Sequence, residues 1–416
     1  MTPKDSYSIN LEEINCKTGF VDTKYGLSQL MASTLILMLW LSCPAKLASQ
    51  GHPSSVDFKK HVIHDAFISE GVAVGDINKD GQKDIVAGFY WFEAPAWKAH
   101  EISPVKTFDY KTGYSESFLN YVTDVNQDGW LDFILFGFPG QSVVWFENPR
   151  KVKQHWVKRV IDTNACNESP MMADLDGDGR MELIFGHEEE NIMMCYQSIG
   201  SGGDTKWIAH EMSERNAPGT NRYSHGLGFG DVDGDGNKDV IATGGWWTTN
   251  DGGNDFPWQL HTASLGFPCS QMHAYDFDRD GDNDIVSSSA HAYGIWWHEQ
   301  TTDENGVSFK RHLIDSTFSQ THGLALEDMN ADGLPDLITG KRFFAHQGKD
   351  PGGLEEAVMY WYELSHDEKG NPSWTPHIID NNSGLGLQVV IEDMNMDGRP
   401  DIITANKKGV FVFYQK

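Results

Sequence analysis

Residues 76–84 read DINKDGQKD, with side-chain oxygens at the first, third, fifth and ninth positions and a glycine at the sixth. The pattern returns six more times, starting at Asp124, Asp174, Asp231, Asp276, Asp328 and Asp393, with spacings of 48, 50, 57, 45, 52 and 65 residues. A recurring period of that size marks a repeat architecture in which each unit contributes one small sheet. Each copy follows a short alternating apolar run, such as VAVGD (72–76) or LALED (324–328). Another run comes after it, such as DIVAG (84–88) or DLITG (336–340). Strand, tight loop, strand is the reading.

A second motif lies between the loops: an aromatic residue, two others, then usually His. It begins at Phe58, Trp97, Trp156, Trp207, Trp258, Phe309 and Trp374, and its fourth position is His61, His100, Arg159, His210, His261, His312 or His377. An aromatic strand separates loop and motif, as in YWFE (90–93), VVWFE (143–147), IWWHE (295–299) and MYWYE (359–363). Each unit therefore holds four strands, the make-up of a propeller blade. The chain opens this pattern with an orphan fourth strand, FKKHVIHD (58–65), and ends on a third, GVFVFYQK (409–416). The N-terminal strand is expected to complete the last blade, which removes an exposed sheet edge. The expectation is an all-β chain with a single seven-bladed propeller over 51–416, in place of the two or three domains that 416 residues would suggest.

With these seven loops the chain resembles the FG-GAP or VCBS repeat family, whose propellers include those of integrin α-subunits. The resemblance covers residues from about 58 to 416.

Composition agrees with many short strands. Hydrophobic residues make up 39%, but aromatics reach 12% and there are 42 glycines. The 60 acidic residues against 32 basic give a net charge of −28, which repels phosphate backbones and excludes a nucleic-acid partner. The one long apolar stretch, residues 30–43 (LMASTLILMLWLSC), is too short for a comfortable membrane span and suits a signal peptide within a leader of residues 1–50. Cleavage near Ala45 or Ala48 is expected, or a lipid anchor on Cys43, with secretion to the periplasm, cell surface or medium. Outside the leader stand Cys166, Cys195 and Cys269, enough for one disulfide and no disulfide scaffold.

Oxygen ligands at alternate positions converge on one hard cation, and oxygen-only sets favour Ca²⁺. The first two loops offer Asp76, Asn78, Asp80 and Asp84, then Asp124, Asn126, Asp128 and Asp132. The third and fourth offer Asp174, Asp176, Asp178 and Glu182, then Asp231, Asp233, Asp235 and Asp239. The fifth offers Asp276, Asp278, Asp280 and Asp284, and the sixth Asp328, Asn330, Asp332 and Asp336. The seventh offers Asp393, Asn395, Asp397 and Asp401. Of these side chains 24 are acidic, so up to seven structural Ca²⁺ ions would cancel half the net charge.

The histidines of the fourth-strand motif read as packing or capping residues. Those that break the repeat are more informative. In a four-stranded blade the acidic loop sits on one face, while the start of the innermost strand and the loop after the second strand share the other. Glu70, Glu168, His225 and His322 each stand six residues before their loop aspartate and should ring the central opening; Asn120 and His273 align more loosely. His225, His273 and His322 form a ligand set for Zn²⁺ or another divalent transition metal, with Glu70 and Glu168 as further catalytic candidates and a His or Glu of the cluster, not yet singled out, as base. The plainer reading is that they hydrogen-bond strand ends. Second-strand loops add Lys341, Arg342 and His346, able to hold an anionic oxygen. They also add His187 and Glu188, His291 and Tyr293, and the aromatics Tyr90, Trp91, Trp246 and Trp247, which could grip a sugar ring or pack the blades.

The stretches SHGLGFGDVDGDG (224–236) and THGLALEDMNADGLPDLITGKRFFAHQGKDPGG (321–353) are similar to the propeller part of fungal aldos-2-ulose dehydratase and its bacterial relatives. That resemblance implies removal of water from a keto-sugar, with His225, His273 and His322 at a metal and Lys341, Arg342 and His346 at the substrate. The chain departs from the fungal enzyme in offering one propeller without its extra domains. Two function classes follow: an exported metal-dependent lyase acting on a keto-sugar or oxidised glycoside, and a calcium-stabilised propeller that binds glycan or protein without turnover. The sequence leaves the oligomeric state open.

Overall fold

The computed structural model describes residues 56–416, apart from Val152, residues 250–255, Pro268, Ser270 and Asn305. The leader, with its signal-peptide stretch and Cys43, lies outside the described residues. The chain is all-β and propeller-like: short antiparallel strands follow one another in sets of four, with two short 3-10 turns between them. Among the described residues no helix is long and apolar enough to cross a membrane.

The first set shows the pattern. Strand Ala73–Gly75 pairs with Asp84–Ala87, that with Tyr90–Glu93, and that with Lys98–Glu101. The acidic loop of residues 76–84 joins the first two. Its shape comes from its own side chains. The first aspartate accepts hydrogen bonds from the amides of the fifth residue and of the glycine, as Asp76 does from Asp80 and Gly81 at 3.0 and 2.9 Å. The glycine has φ between 83° and 102° in all seven loops, a conformation that costs other residues about 1–2 kcal/mol. The ninth carboxylate is buried in every loop and accepts backbone amides; Asp84 holds Ile77 and Ala94 at 3.0 and 2.9 Å.

The fourth-strand histidine pairs across to the tryptophan of the third strand. The rings of Trp91 and His100, Trp297 and His312, and Trp361 and His377 stack with centroids 4.3, 4.4 and 4.3 Å apart. The outer nitrogen of each meets a glutamate two residues past the tryptophan, at 2.6–2.8 Å. Arg159 does the same work over Trp145 and against Glu147. These residues fasten blade edges and stand apart from any site.

Neighbouring sets bury their apolar faces against each other. Val86 and Trp91 pack on Phe133, Val144 and Phe146 of the next set, and Ile85 and Phe92 pack on Ile403, Val410 and Val412 of the last. Each such side chain contributes about 1.5–3 kcal/mol by leaving water. Strand Phe58–His64 pairs antiparallel with Gly409–Gln415, so the first described strand completes the last set.

Hydrogen bonding groups the strands into three four-stranded and two eight-stranded sheets, where separate blades were expected. The difference has local causes. His187 bridges to Ala165, fusing the second and third sets. Leu227–Phe229 pairs parallel with Gln271–His273, fusing the fourth and fifth. Gly228 permits this, since a Cβ there would stand 2.0 Å from the Met272 carbonyl oxygen. Inner strands of all the sets line a central cavity of about 440 Å³. Cys166, Cys195 and Cys269 are free and buried, so no disulfide forms among the described residues.

Candidate functional site

On the face opposite the acidic loops, five buried side chains from four of the sets meet. Glu70, Glu168, His225 and His322 come from inner-strand starts, and Arg342 from the end of strand Asp336–Lys341. Arg342 donates to Glu70 Oε2 at 3.2 Å, to Glu168 Oε2 at 3.4 Å and to His322 Nε2 at 3.1 Å. Burial works against its charge, but Glu70 and Glu168 outweigh that and raise its pKa further.

The two histidines share one orientation. His225 Nδ1 lies 2.6 Å from the Tyr223 carbonyl and His322 Nδ1 lies 3.2 Å from that of Gln320. An Nδ1–H donated to a carbonyl leaves Nε2 as a lone pair facing the cluster, the arrangement found in histidine metal ligands. His225 Nε2 is buried and stands 3.2 Å from Glu168 Oε2, an ion-pair contact when the ring is protonated. Burial opposes ionisation of Glu168, but His225 and then Arg342 outweigh it and hold the carboxyl at about 2. Burial, then the Arg342 charge, push His322 well below the ordinary histidine range. Ligand atoms of Glu168, His225 and His322 all lie within 4.8 Å of one another.

A second cluster borders the first. His346 Nδ1 lies 2.7 Å from Asp350 Oδ2, and His291 Nδ1 lies 3.3 Å from the same atom. The His291 ring sits 4.7 Å from both His225 and His346, and 5.8 Å from His322. Two imidazoles sharing one ion at ~2.1 Å would have centroids roughly 5 Å apart, so His291 is close enough to join the buried pair. The loop that carries His346 is strained. Phe344, His346 and Gln347 all have left-handed backbones, with φ of 54°, 47° and 53°. Tyr114 Oη accepts the His346 amide at 3.1 Å, and Lys407 Nζ donates to the Phe344 carbonyl at 3.2 Å, which holds the loop in place. Strain of this kind collects at functional sites.

Several expected site residues lie elsewhere. His273 does not join His225 and His322: its Nε2 meets the Leu324 carbonyl at 3.0 Å in the central cavity, because its strand enters the parallel pairing with Leu227–Phe229. Lys341 faces away from the cluster, its Nζ donating to the Gly352 carbonyl and within 3.4 Å of Ser319 Oγ. Arg342 is 1% exposed and fully engaged, so it organises the two carboxylates and is not free to take a substrate oxygen. Trp91, Trp246 and Trp247 are buried in blade packing and present no sugar platform. His187 sits 3.7 Å from Asp162, and Glu188 pairs with Arg222. His291 was named from its second-strand loop, though not as a partner of His225, while Asp350, Tyr114 and Lys407 were left out. The four-residue spacing of His346 and Asp350 was the available signal; Tyr114, in the connection between the first two sets, left none.

The acidic loops form their own candidate cation sites. In the third loop Asp174, Asp176 and Glu182 converge, in the fourth Asp231, Asp233 and Asp239, and in the fifth Asp276, Asp278 and Asp280. Buried oxygens Asp132 Oδ2, Asp174 Oδ1 and Asp239 Oδ1 lack hydrogen-bond partners, which fits a cation at these loops.

Comparison with known proteins agrees with the repeat reading. Residues 124–185 and 276–339 match the FG-GAP-like repeat. An 81-residue segment is 35% identical to human integrin alpha-7, covering 20% of this chain and 7% of that one. Among solved structures the chain is similar to the exotype rhamnogalacturonan lyase YesX, with a TM-score of 0.48 at 13% identity, over 87% of this chain and 75% of that one. It is also similar to the rhamnogalacturonan lyase from Bacillus licheniformis, with a TM-score of 0.45 at 12% identity, over 87% and 74% of the two chains.

Proposed function

We propose that this chain is an exported, calcium-stabilised, seven-bladed propeller that acts as a metal-dependent carbon–oxygen lyase on a keto-sugar or oxidised glycoside. The observation that carries the reading is the buried convergence of Glu168, His225 and His322, whose ligand atoms all lie within 4.8 Å of one another. With each ring holding Nδ1–H against a carbonyl, His225 Nε2 and His322 Nε2 would face a cation as lone pairs beside the Glu168 carboxylate. Export rests on the apolar stretch 30–43 and calcium on the seven acidic loops.

Glu168, His225 and His322 would hold a divalent transition metal, with His291 adjacent. Bound there, the metal would polarise a substrate carbonyl and acidify the neighbouring C–H. The protein's own groups do the rest. Asp350 fixes His346 through Nδ1, leaving His346 Nε2 to take the proton from that carbon. The electron pair forms a C=C bond as the adjacent C–O bond breaks, and the departing oxygen takes the proton back from His346 Nε2 to leave as water or as the alcohol of the shortened glycoside. Arg342 keeps Glu70 and Glu168 in register. His322 Nε2, which accepts from Arg342 at 3.1 Å, would give up that hydrogen bond to hold the metal. Removal of water from a keto-sugar, as the dehydratase resemblance implies, is one case of this chemistry.

Elemental analysis of the purified protein and of a His225→Ala, His322→Ala double variant tests the reading. The expected result is one equivalent of Zn, Mn, Fe or Ni in the wild type, lost in the variant while calcium is retained. Keto-sugars should then show ultraviolet absorbance of a conjugated product with the wild type alone. Calcium as the only metal in both proteins would overturn the lyase, leaving glycan or protein binding as the function.

A further inference from the structure

Beside the histidine cluster lies a cavity of about 700 Å³ that the proposed chemistry does not use. Its position in the chain is a junction: it is lined from the first described strand, the connection after the first set, and the hairpin of residues 406–409. Three lysines border it in a chain of net charge −28. Lys60 pairs with Asp380 at 3.3 Å, and Lys408 Nζ meets Asn382 Oδ1 at 2.7 Å.

Lys407 is the unusual one. It is 3% exposed, its Nζ donates to the Phe344 carbonyl at 3.2 Å, and it stands 4.1 Å from the centre of the Tyr114 ring. No carboxylate of the described residues pairs with it at ion-pair distance. A buried ammonium without an acidic partner is costly, and it is retained where an anion completes it. Burial brings its pKa down to about 8, with Glu70 partly opposing, so the charge persists at neutral pH. Asp65 is the one acidic residue lining the cavity.

Aromatic surface supplies the other half of the site. Phe108, Tyr110, Phe343 and Phe411 line the cavity, and the Tyr110 and Phe343 rings sit 5.7 Å apart. Lys408 Nζ lies 4.6 Å over Phe343 and Lys60 Nζ 4.8 Å over Phe411. Apolar ring faces with ammonium groups at their edges suit a sugar ring bearing a negative charge. The volume falls within the range of small-ligand clefts.

We infer that this cavity is a subsite for a carboxylate-bearing sugar, so that the substrate of the neighbouring centre is a uronate-containing oligosaccharide. The inference rests on the lyase reading for its choice of carboxylate over sulfate. A uronate chain that places one carboxylate in this cavity brings a neighbouring uronate to the histidine centre, where its own carboxylate acidifies the C–H that elimination must break, as a sulfate ester would not. The aromatic cavity then grips one residue of the chain while Lys407, which touches the Phe344 carbonyl of the loop carrying His346, ties that grip to the reacting position.

Calorimetric titration separates this inference from the metal centre. The probes are oligogalacturonate, oligoglucuronate and oligomannuronate, the methyl ester of whichever binds, and a sulfated neutral oligosaccharide. One of the uronates should bind at least ten-fold more tightly than its methyl ester, with affinity falling as salt rises. A Lys407→Met, Lys408→Met double variant should lose ten-fold or more in affinity. The His225→Ala, His322→Ala variant should lose the metal yet keep the ten-fold preference for acid over ester, so that loss of the metal and loss of the acidic subsite are read separately. Where the lysine variant folds poorly, the salt dependence of the wild type decides. Equal binding of acid and ester, no binding of any uronate, or equal binding of the sulfated sugar would each overturn the assignment.

Discussion

Arg342 is the residue on which the central cluster turns. It is one guanidinium between two buried carboxylates, and removing it leaves Glu70 and Glu168 without a counter-charge in a place water does not reach. Breaking a buried ion pair from one side typically costs about 3–5 kcal/mol. Arg342→Met should therefore lower the urea midpoint by an amount in that range, while Arg342→Met combined with Glu70→Gln and Glu168→Gln should recover part of it. A variant as stable as the wild type would show that the carboxylates find other partners. At this scale the sequence marked Glu70, Glu168, His225 and His322 through their constant offset from the loop aspartate. It misjudged His273 because a three-residue offset places it inside the cavity, where the backbone of Leu324 takes its Nε2. The roles of Arg342 and Lys341 could not be read, since adjacent residues on a strand end point to opposite sides and only packing says which one is inward.

Among the elements, the acidic loops decide stability. Their first aspartates are already used by backbone amides and their ninth carboxylates are buried, so each loop keeps its shape while holding several negative oxygens close together. Chelation with EDTA should lower the melting temperature, and re-addition of Ca²⁺, but not of Mg²⁺ at the same concentration, should restore it, because the larger ion accepts irregular oxygen shells. A melting curve unmoved by EDTA would remove calcium from the account. The loops and strands were legible because each loop repeats a fixed spacing and each strand a period of two. Sheet fusion at Gly228 was not, because parallel pairing between two inner strands depends on how closely neighbouring blades approach, which no single repeat encodes.

For the whole molecule, the contact between Phe58–His64 and Gly409–Gln415 is what makes the chain one body. Deleting residues 56–64 would leave strand Gly409–Gln415 with a bare edge and uncover Phe411 and Phe413. Size-exclusion chromatography of that truncation should show aggregates in place of the intact protein's single species; a well-behaved monomer with an unchanged melting temperature would count against closure by this strand. The orphan fourth strand at the start and the missing one at the end made this closure readable from the repeat phase alone.

That pairing also sets a schedule. Between His64 and Gly409 lie about 345 residues, and at roughly 5–20 residues per second the strand Phe58–His64 waits on the order of 20–70 s for its partner to be made. During synthesis the nascent chain carries an open end with nothing to close on. Until Gly409–Gln415 emerges the edge of Phe58–His64 stays unpaired, so this sheet is a late event however early its first strand is made.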